Sequence, residues 1–365
     1  MAKEILEGSH AIAQIIKNIK PAVVSAYPIT PQTHIVEDLE KMKAEGEADF
    51  EYIRAESEFA AASIVLGASA TGVRTYTATC AQGLLLMAEV IFDIAGMRLP
   101  VVMTVANRAI SAPINIWNDQ QDAVTVRDSG WISLYAETNQ EAVDLHILAY
   151  KLAEQNLIPV MVNMDGFVLT HTYEGVEIPT TAQIKKFLPD YHPNPEMILD
   201  VKNPRSLGTF APPDQYTEIR QELNADLKNS EKDIKKVSAE FKKVFGRQLG
   251  LVEEYKVKDA DTVFVAMGSV CGTIKEAIDG LGKNKKVGLL KIISFRPFPA
   301  DEIINSLSKA KKIIVIDKSL SLGTEGILAN ELKAAAYGKL KAKIEGEVVG
   351  LGGRDITQQS IVDLL

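Results

Sequence analysis

Two cysteines in 365 residues, Cys80 and Cys271, lie far apart and support neither a disulfide framework nor a cysteine-rich metal site. An iron–sulfur cluster usually takes four thiolates, so the chain cannot build one alone. Histidine is scarce as well: His10, His34, His146, His171 and His192 show no metal-ligand spacing and read as packed or surface residues. No apolar run approaches the roughly 20 residues of a membrane span. Positive charge is in deficit, 40 Lys and Arg against 48 Asp and Glu, which argues against a nucleic-acid-binding surface. Met1-Ala2-Lys3-Glu4 opens into a helical pattern without the apolar core of a signal peptide, so a cytoplasmic protein without a membrane partner is expected.

What is present is the composition of a globular protein, in a chain too long for one ordinary core; two domains are expected. The most informative stretch is Ala26-Tyr27-Pro28-Ile29-Thr30-Pro31-Gln32-Thr33. The apolar run Ala22–Ala26 before it reads as a short buried strand. Ile35, Val36, Leu39 and Met42 after it share a helical face. Two prolines three residues apart forbid a smooth passage between strand and helix. Thr30 is expected as the helix N-cap with Pro31 at the first helical position. Such a junction sets polar atoms at the end of a sheet, where open α/β sheets bind ligands. Thr30 therefore either caps a helix and no more, or offers its hydroxyl to a ligand.

Two further positions invite the same question. A strand at 50–54 leads to Ser57, an expected N-cap, and to a helix of small residues from Glu58 to Gly72. Glu58 falls in the first turn, where the helix terminus favours its charged form and burial against Phe59 and the alanines favours the neutral one. It is either a solvated capping carboxylate or a group that exchanges a proton with a ligand nitrogen. Strands at 74–79 and 101–105 follow, separated by an apolar helix carrying Leu84, Leu85, Met87, Val90, Ile91 and Ile94. Arg108 lies just beyond the second of these strands. There a guanidinium can clamp a carboxylate bidentately or pair with an aspartate of its own loop. That loop, running to Asp122, has no clear period.

The chain continues with a strand at 131–135, a capping box Thr138-x-x-Glu141, a helix to about Gln155 and a strand at 159–164. This alternation implies a mostly parallel sheet covered on both faces. Residues 175–215, with seven prolines, read as an extended excursion; 216–245 as a charged amphipathic helix with Leu223, Leu227, Ile234, Val237, Phe241 and Val244 inward. A smaller α/β unit begins near Leu251, with strands at 262–267, 287–293, 312–316 and 344–349. Gly268-Ser269-x-x-Gly272 could meet an anion at a helix N-terminus, but lacks the full glycine fingerprint and reads better as a tight turn.

With these segments laid out, the sequence resembles the alpha subunit of the 2-oxoacid:ferredoxin oxidoreductases, most closely the pyruvate:ferredoxin type. The resemblance covers nearly the whole chain. It rests on Tyr27–Thr33, Glu56-Ser57-Glu58, Gly67–Gly72, Asn107-Arg108-Ala109 and Trp117–Asp122, with Phe295–Pro299 and Gly323–Gly326 further on. It implies two α/β domains with doubly wound, mostly parallel sheets. Residues 1–245 would be a thiamine-enzyme pyrimidine-binding-type domain, with 175–245 as its linker, and 250–365 a transketolase C-terminal-like domain. It implies thiamine diphosphate shared with a beta subunit, Mg²⁺ and [4Fe-4S] clusters held by partner subunits, coenzyme A as co-substrate, and gamma and delta (ferredoxin-like) subunits or fused equivalents, with ferredoxin as acceptor. By the same resemblance Glu58 faces the thiamine pyrimidine, and Thr30 and Arg108 hold the substrate carboxylate. The implied reaction is oxidative decarboxylation of pyruvate to acetyl-CoA, or its reverse. Alternatives are a branched-chain 2-oxoacid, 2-oxoglutarate or oxalate, and a non-catalytic scaffold. Met164-Asp165-Gly166 is not the Gly-Asp-Gly magnesium motif of thiamine enzymes, consistent with that motif lying on a partner.

Overall fold

The structure is a computed structural model describing residues 3–282 and 285–365. Its first part runs β1 (Glu4–Glu7), α1 (Gly8–Ile19), β2 (Val23–Ala26), α2 (Thr33–Ala44), β3 (Glu51–Arg54), α3 (Glu58–Ala70), β4 (Thr75–Thr79), α4 (Ala81–Leu86), α5 (Ala88–Gly96), β5 (Val102–Asn107), α6 (Gln121–Thr125), β6 (Ile132–Tyr135), α7 (Asn139–Asn156) and β7 (Val160–Asp165). After β8 (Tyr173–Val176), α8 (Thr181–Phe187) and the 33-residue α9 (Pro213–Phe245) come β9 (Val252–Tyr255), β10 (Thr262–Ala266), α10 (Val270–Gly280), β11 (Val287–Ile292), β12 (Ser294–Arg296), α11 (Ala300–Leu307), β13 (Lys312–Asp317), α12 (Ile327–Ala336), β14 (Lys343–Val348) and α13 (Gln358–Val362).

Seven strands form the larger sheet, in the order β12-β6-β7-β5-β4-β2-β3, parallel throughout except β12. Every residue of β4, β5, β6 and β7 is buried, as a parallel sheet covered on both faces requires. The smaller sheet, β14-β13-β10-β11-β9, is parallel apart from its edge strand β9. This is the expected α/β class with two mostly parallel sheets. The late strand β12 crosses back to pair with β6, so Ser294–Arg296 stitches the second part of the chain to the first sheet.

Several local expectations need correction. The chain does not open as one helix. Glu4–Glu7 pairs antiparallel with β8, leaving Ile5 exposed, and α1 starts at Gly8. The proline-rich 175–215 stretch holds a helix, α8, because Thr180 and Gln183 form a reciprocal capping box and Ile184 and Phe187 are buried. The stripe of α9 ends on Phe245 and not on Val244: Phe245 follows Phe241 by one helical turn and stacks on it at 4.5 Å, while Val244 is exposed. Thr138 caps α7 as expected, accepting the Glu141 N–H, but the Glu141 carboxylate accepts the backbone N–H of Glu137 and not that of the cap. Histidine behaves as read at His146, which is buried between the Ala142 carbonyl and the Thr104 hydroxyl, and burial lowers its pKa to about 4.

The two halves are joined by buried charge. The Lys291 ammonium, on β11, meets Glu137 at 2.7 Å, Glu141 at 2.6 Å and Glu253 at 2.6 Å. Burial works against its charge, but the three carboxylates outweigh it and raise its pKa. The glutamates lie close enough to resemble a cation site, and lysine fills that role. Lys291→Met would leave Glu141 without its cation and Glu137 and Glu253 with only the less buried Lys275. Removing one partner of a buried ion pair costs about 3–5 kcal/mol. A loss of that size is expected in urea unfolding, with the mutant midpoint recovering as pH falls and the glutamates protonate.

Candidate active site

The C-terminal ends of β5, β4, β2 and β3 lie side by side, and the loops that leave them carry Arg108, Cys80, Thr30 and Glu58. Open parallel sheets bind ligands at this edge. Glu58 opens α3, whose first turn is fixed by Ser57: its hydroxyl accepts the Ala60 N–H at 3.2 Å, as the sequence suggested. Glu58 as a residue is 7% exposed, and its carboxyl accepts no hydrogen bond among the described residues. It rests against Gly83 of α4, where an added Cβ would lie 2.7 Å from Glu58 Oε1 and 2.5 Å from Thr79 Oγ1. Glycine at 83 is therefore a condition for a full-sized carboxylate at 58.

Thr30 is not a helix cap. The α2 helix starts at Thr33 with Gln32 at its N-cap position, because Thr30 and Pro31 are taken up in a separate turn closed by the Gln32 N–H to the Ile29 carbonyl at 2.8 Å. Gln32, fully buried, ties the turn instead. Its amide donates to the Ala78 carbonyl at 2.8 Å and its Oε1 accepts the Ile29 N–H at 3.2 Å. This leaves Thr30 exposed, with its carbonyl turned inward to accept from Arg108 Nη1 at 2.8 Å and from the Cys80 thiol at 3.2 Å. Burial raises the Cys80 pKa, so the thiol stays neutral.

Arg108 is 6% exposed. Its Nε donates to the Asn115 carbonyl at 3.0 Å and its Nη1 to Thr30, so two backbone carbonyls fix the guanidinium plane. Among the described residues it makes no ion pair: the aspartate of its loop takes its backbone N–H instead. Asp122 Oδ2 accepts the N–H groups of Arg108 and Ala81, both at 2.9 Å, and Oδ1 accepts from Asn107 Nδ2 at 3.0 Å and the Ala123 N–H at 2.7 Å. Burial raises the Asp122 pKa, these four donors oppose it, and the balance leaves the carboxyl at about 6. Sequence reasoning left Asp122 and Gln32 without a role. Nothing in local pattern marks a carboxylate whose four donors come from three separate segments.

Two comparisons within the chain set these residues apart. Among the described residues three Lys or Arg side chains are buried: Lys291 and Lys318 touch carboxylates and Arg108 does not. Seven Asp and Glu side chains are buried, and six of them accept hydrogen bonds within the chain; Glu58 accepts none.

Other candidates resolve differently. The start of α10 does meet an anion, but it is Asp165, whose Oδ2 accepts from the Ser269 N–H at 3.0 Å and its hydroxyl at 2.5 Å. The Gly323–Gly326 stretch leads into α12, where Asp317 accepts the N–H groups of Leu328 and Ala329. His34 and His171, unremarkable in spacing, are brought together with Glu7. The rings stack with centroids 4.6 Å apart and His34 Nδ1 lies 2.6 Å from Glu7.

Comparison with known proteins identifies the family. Residues 15–239 match the family described as pyruvate flavodoxin/ferredoxin oxidoreductase, thiamine diphosphate-binding, and residues 260–361 match pyruvate:ferredoxin oxidoreductase core domain II. The chain belongs to the pyruvate:ferredoxin oxidoreductase family. The family expected from the sequence is thus shown, and with it an oxidoreductase subunit. The pyruvate synthase subunit PorA of Methanothermobacter thermautotrophicus is 47% identical, covering 100% of this chain and 95% of its own. That of Methanocaldococcus jannaschii is 49% identical over 99% and 94%. The ketoisovalerate oxidoreductase subunit VorA of Pyrococcus horikoshii is 43% identical over 98% and 92%. A 2-oxoglutarate:ferredoxin oxidoreductase from Magnetococcus marinus, solved with 2-oxoglutarate, coenzyme A and succinyl-CoA bound, shares the fold with a TM-score of 0.78 at 20% identity. All of this chain is covered in that match, and it spans 64% of the other chain's length.

Asp122→Asn tests the geometry of this family member directly. The amide would turn two hydrogens toward N–H donors on one side of the pocket. Leaving buried donors unsatisfied costs about 1–3 kcal/mol each. Urea unfolding should show a loss of at least that size. The ordinary mutant range for exposed sites, within about 0.5 kcal/mol, would contradict the assigned network.

Proposed function

We propose that this chain is the subunit of a pyruvate:ferredoxin oxidoreductase that holds the substrate carboxylate and the pyrimidine end of thiamine diphosphate. The assembled enzyme would convert pyruvate, coenzyme A and oxidised ferredoxin to acetyl-CoA, CO₂ and reduced ferredoxin, or run the reverse. The observation that carries this reading is Arg108: a buried guanidinium, oriented by two carbonyls and lacking a carboxylate of its own. A 2-oxoacid carboxylate supplies the missing charge, with the exposed Thr30 hydroxyl beside it. Orientation matters more than tightness here, because a clamp that stabilised the ground-state carboxylate too well would oppose loss of CO₂.

The residues also fit the cofactor. Glu58 is a largely buried residue whose carboxyl takes no donor among the described residues, at a helix start and packed directly against Gly83. When bound, thiamine diphosphate supplies the nucleophilic carbon and the electron sink for decarboxylation. Glu58 would share a proton with a pyrimidine ring nitrogen, general acid–base work through a single hydrogen bond. The diphosphate with its Mg²⁺ and the [4Fe-4S] clusters would lie on beta and ferredoxin-like subunits. Apolar side chains stand exposed beside each site residue, Tyr27 near Thr30, Phe59 next to Glu58, and Ile114 and Trp117 in the Arg108 loop. Such a patch around a polar site suits a protein partner, here the beta subunit. In this reading residues 1–245 are the pyrimidine-side domain, 250–365 the transketolase C-terminal-like domain, and the complex is cytoplasmic.

Pyruvate is favoured over a branched-chain substrate by relatedness: the pyruvate synthase subunits are 45–49% identical to this chain and the ketoisovalerate subunits 43%. A panel of 2-oxoacids assayed on the complex with a viologen acceptor should show the highest kcat/KM for pyruvate. In the same complex, Glu58→Gln should lower kcat by about 100-fold or more, the scale of general acid–base catalysis, with subunit stoichiometry unchanged. Near-normal turnover would remove Glu58 from the reaction.

A further inference from the structure

The guanidinium of Arg108 depends on the Asn115 carbonyl, and Asn115 stands in a loop whose residues Ser111–Ile114 are all exposed. Exposed loops of this kind open at little cost unless something ties them down. What ties this one is the far end of the chain. Asn115 Nδ2 donates to the Gly352 carbonyl at 3.0 Å, and Asn115 Oδ1 accepts the Trp117 N–H at 2.7 Å. The Gly353 N–H donates to the Asn118 carbonyl at 2.7 Å, and the Gly352 N–H to Asp119 at 3.3 Å. The loop is thus gripped at three residues, Asn115, Asn118 and Asp119, by one turn that follows β14.

That turn admits nothing larger than glycine. Gly352 and Gly353 lie at φ of +59° and +81°, in the left-handed region. A Cβ at 352 would come within 2.5 Å of Asn115 Nδ2, and one at 353 within 2.4 Å of Trp117 Cβ. The first contact displaces a side-chain amide. The second displaces the loop backbone itself.

We infer that the Gly352–Gly353 turn and Asn115 are positioning elements for the 2-oxoacid: the second sheet's domain sets the orientation of Arg108 through the Asn115 carbonyl. The inference rests on the reading of Arg108 as the carboxylate-binding residue. It gives the smaller domain a part in substrate recognition, although Arg108, Thr30 and Glu58 all belong to the larger sheet. The Asn118–Lys318 contact and the Gln120 N–H to Lys318 carbonyl bond, at 2.8 Å, hold the later part of the same loop to the same domain.

The test uses the assembled complex with Asn115→Ala, Gly353→Ala, Arg108→Lys and the pair Arg108→Lys/Asn115→Ala. Losing one neutral hydrogen bond of about 1 kcal/mol corresponds to roughly fivefold. Asn115→Ala should therefore raise KM for the 2-oxoacid about fivefold and Gly353→Ala more, with kcat within about twofold. Values of KM for coenzyme A and for the electron acceptor should stay put. In the Arg108→Lys background, Asn115→Ala should add little, since the planar group it orients is gone. Gly46→Ala, a left-handed glycine with nothing within 4 Å, controls for backbone strain alone. If Arg108→Lys raises KM while neither Asn115→Ala nor Gly353→Ala does, the positioning inference is overturned and the reading of Arg108 stands. If Arg108→Lys leaves KM unchanged, the reading itself fails. A parallel shift of kcat and every KM would mark the loop as merely structural and also overturn the inference.

Discussion

One buried carboxylate organises the proposed site. Asp122 receives hydrogen bonds from the start of α4, from the end of β5 and from its own helix, so four donors from three segments converge on two oxygens. The cost is burial of a charge, visible in its raised pKa. The return is geometric. Ala81 is held at a φ of +45°, which a non-glycine residue adopts at an expense of about 1 kcal/mol or more, and its N–H is spent on Asp122. With Ala81 fixed, Gly83 is placed against Glu58; with the Arg108 N–H fixed, its side chain departs toward Thr30. Both proposed functional groups inherit their direction from one acid that has no other evident task.

The same logic extends to the second sheet. Asp165, at the end of β7, accepts from Ser269, Gln120 and Lys318. Burial alone would raise its pKa; Lys318 and these donors reverse the sign and lower it. Ionised Asp165 is therefore favoured in the fold, and its contribution is present at neutral pH and lost as pH falls through its folded pKa. Lys291 and its three glutamates do comparable work further along the seam. The two sheets share ion pairs, a returning strand and a clamped loop, so the smaller unit is part of the framework on which the site is mounted.

The sequence made some of this legible and hid the rest for identifiable reasons. Periodicity located the central strands and the buried face of α2, because those patterns are set by burial on one element. The Ser57 cap was readable because its partner lies three residues away. Thr30 was misread by the same local rule, since the deciding contact is Gln32 to Ala78, 46 residues distant. Glu58, Arg108 and Thr30 stood out through resemblance and through their places after strands. Local pattern alone left each with an equally ordinary structural reading. The clamp from Gly352 to Asn115 spans 237 residues and no sequence window contains both. The Trp117–Asp122 stretch was recognisable as a motif while its purpose, docking against the second unit, was not.

What separates function from framework here is an exception to how this chain treats buried charge. Burying an ion without a partner costs far more than burying it in a pair, so folded chains compensate such groups from within. This one does so consistently: Lys291 among three glutamates, Lys318 with Asp165, Arg247 between Asp144 and Glu177, Asp317 on two backbone amides. Arg108 follows β5 and Glu58 follows β3, with β4 and β2 between them along the same sheet edge, and among the described residues neither forms an ion pair. Each position is thus left open to a partner from outside the chain. Leaving both open is sensible if a carboxylate comes to one and a ring nitrogen to the other. The energy withheld from folding is then released on binding, where it also fixes the orientation of what is bound.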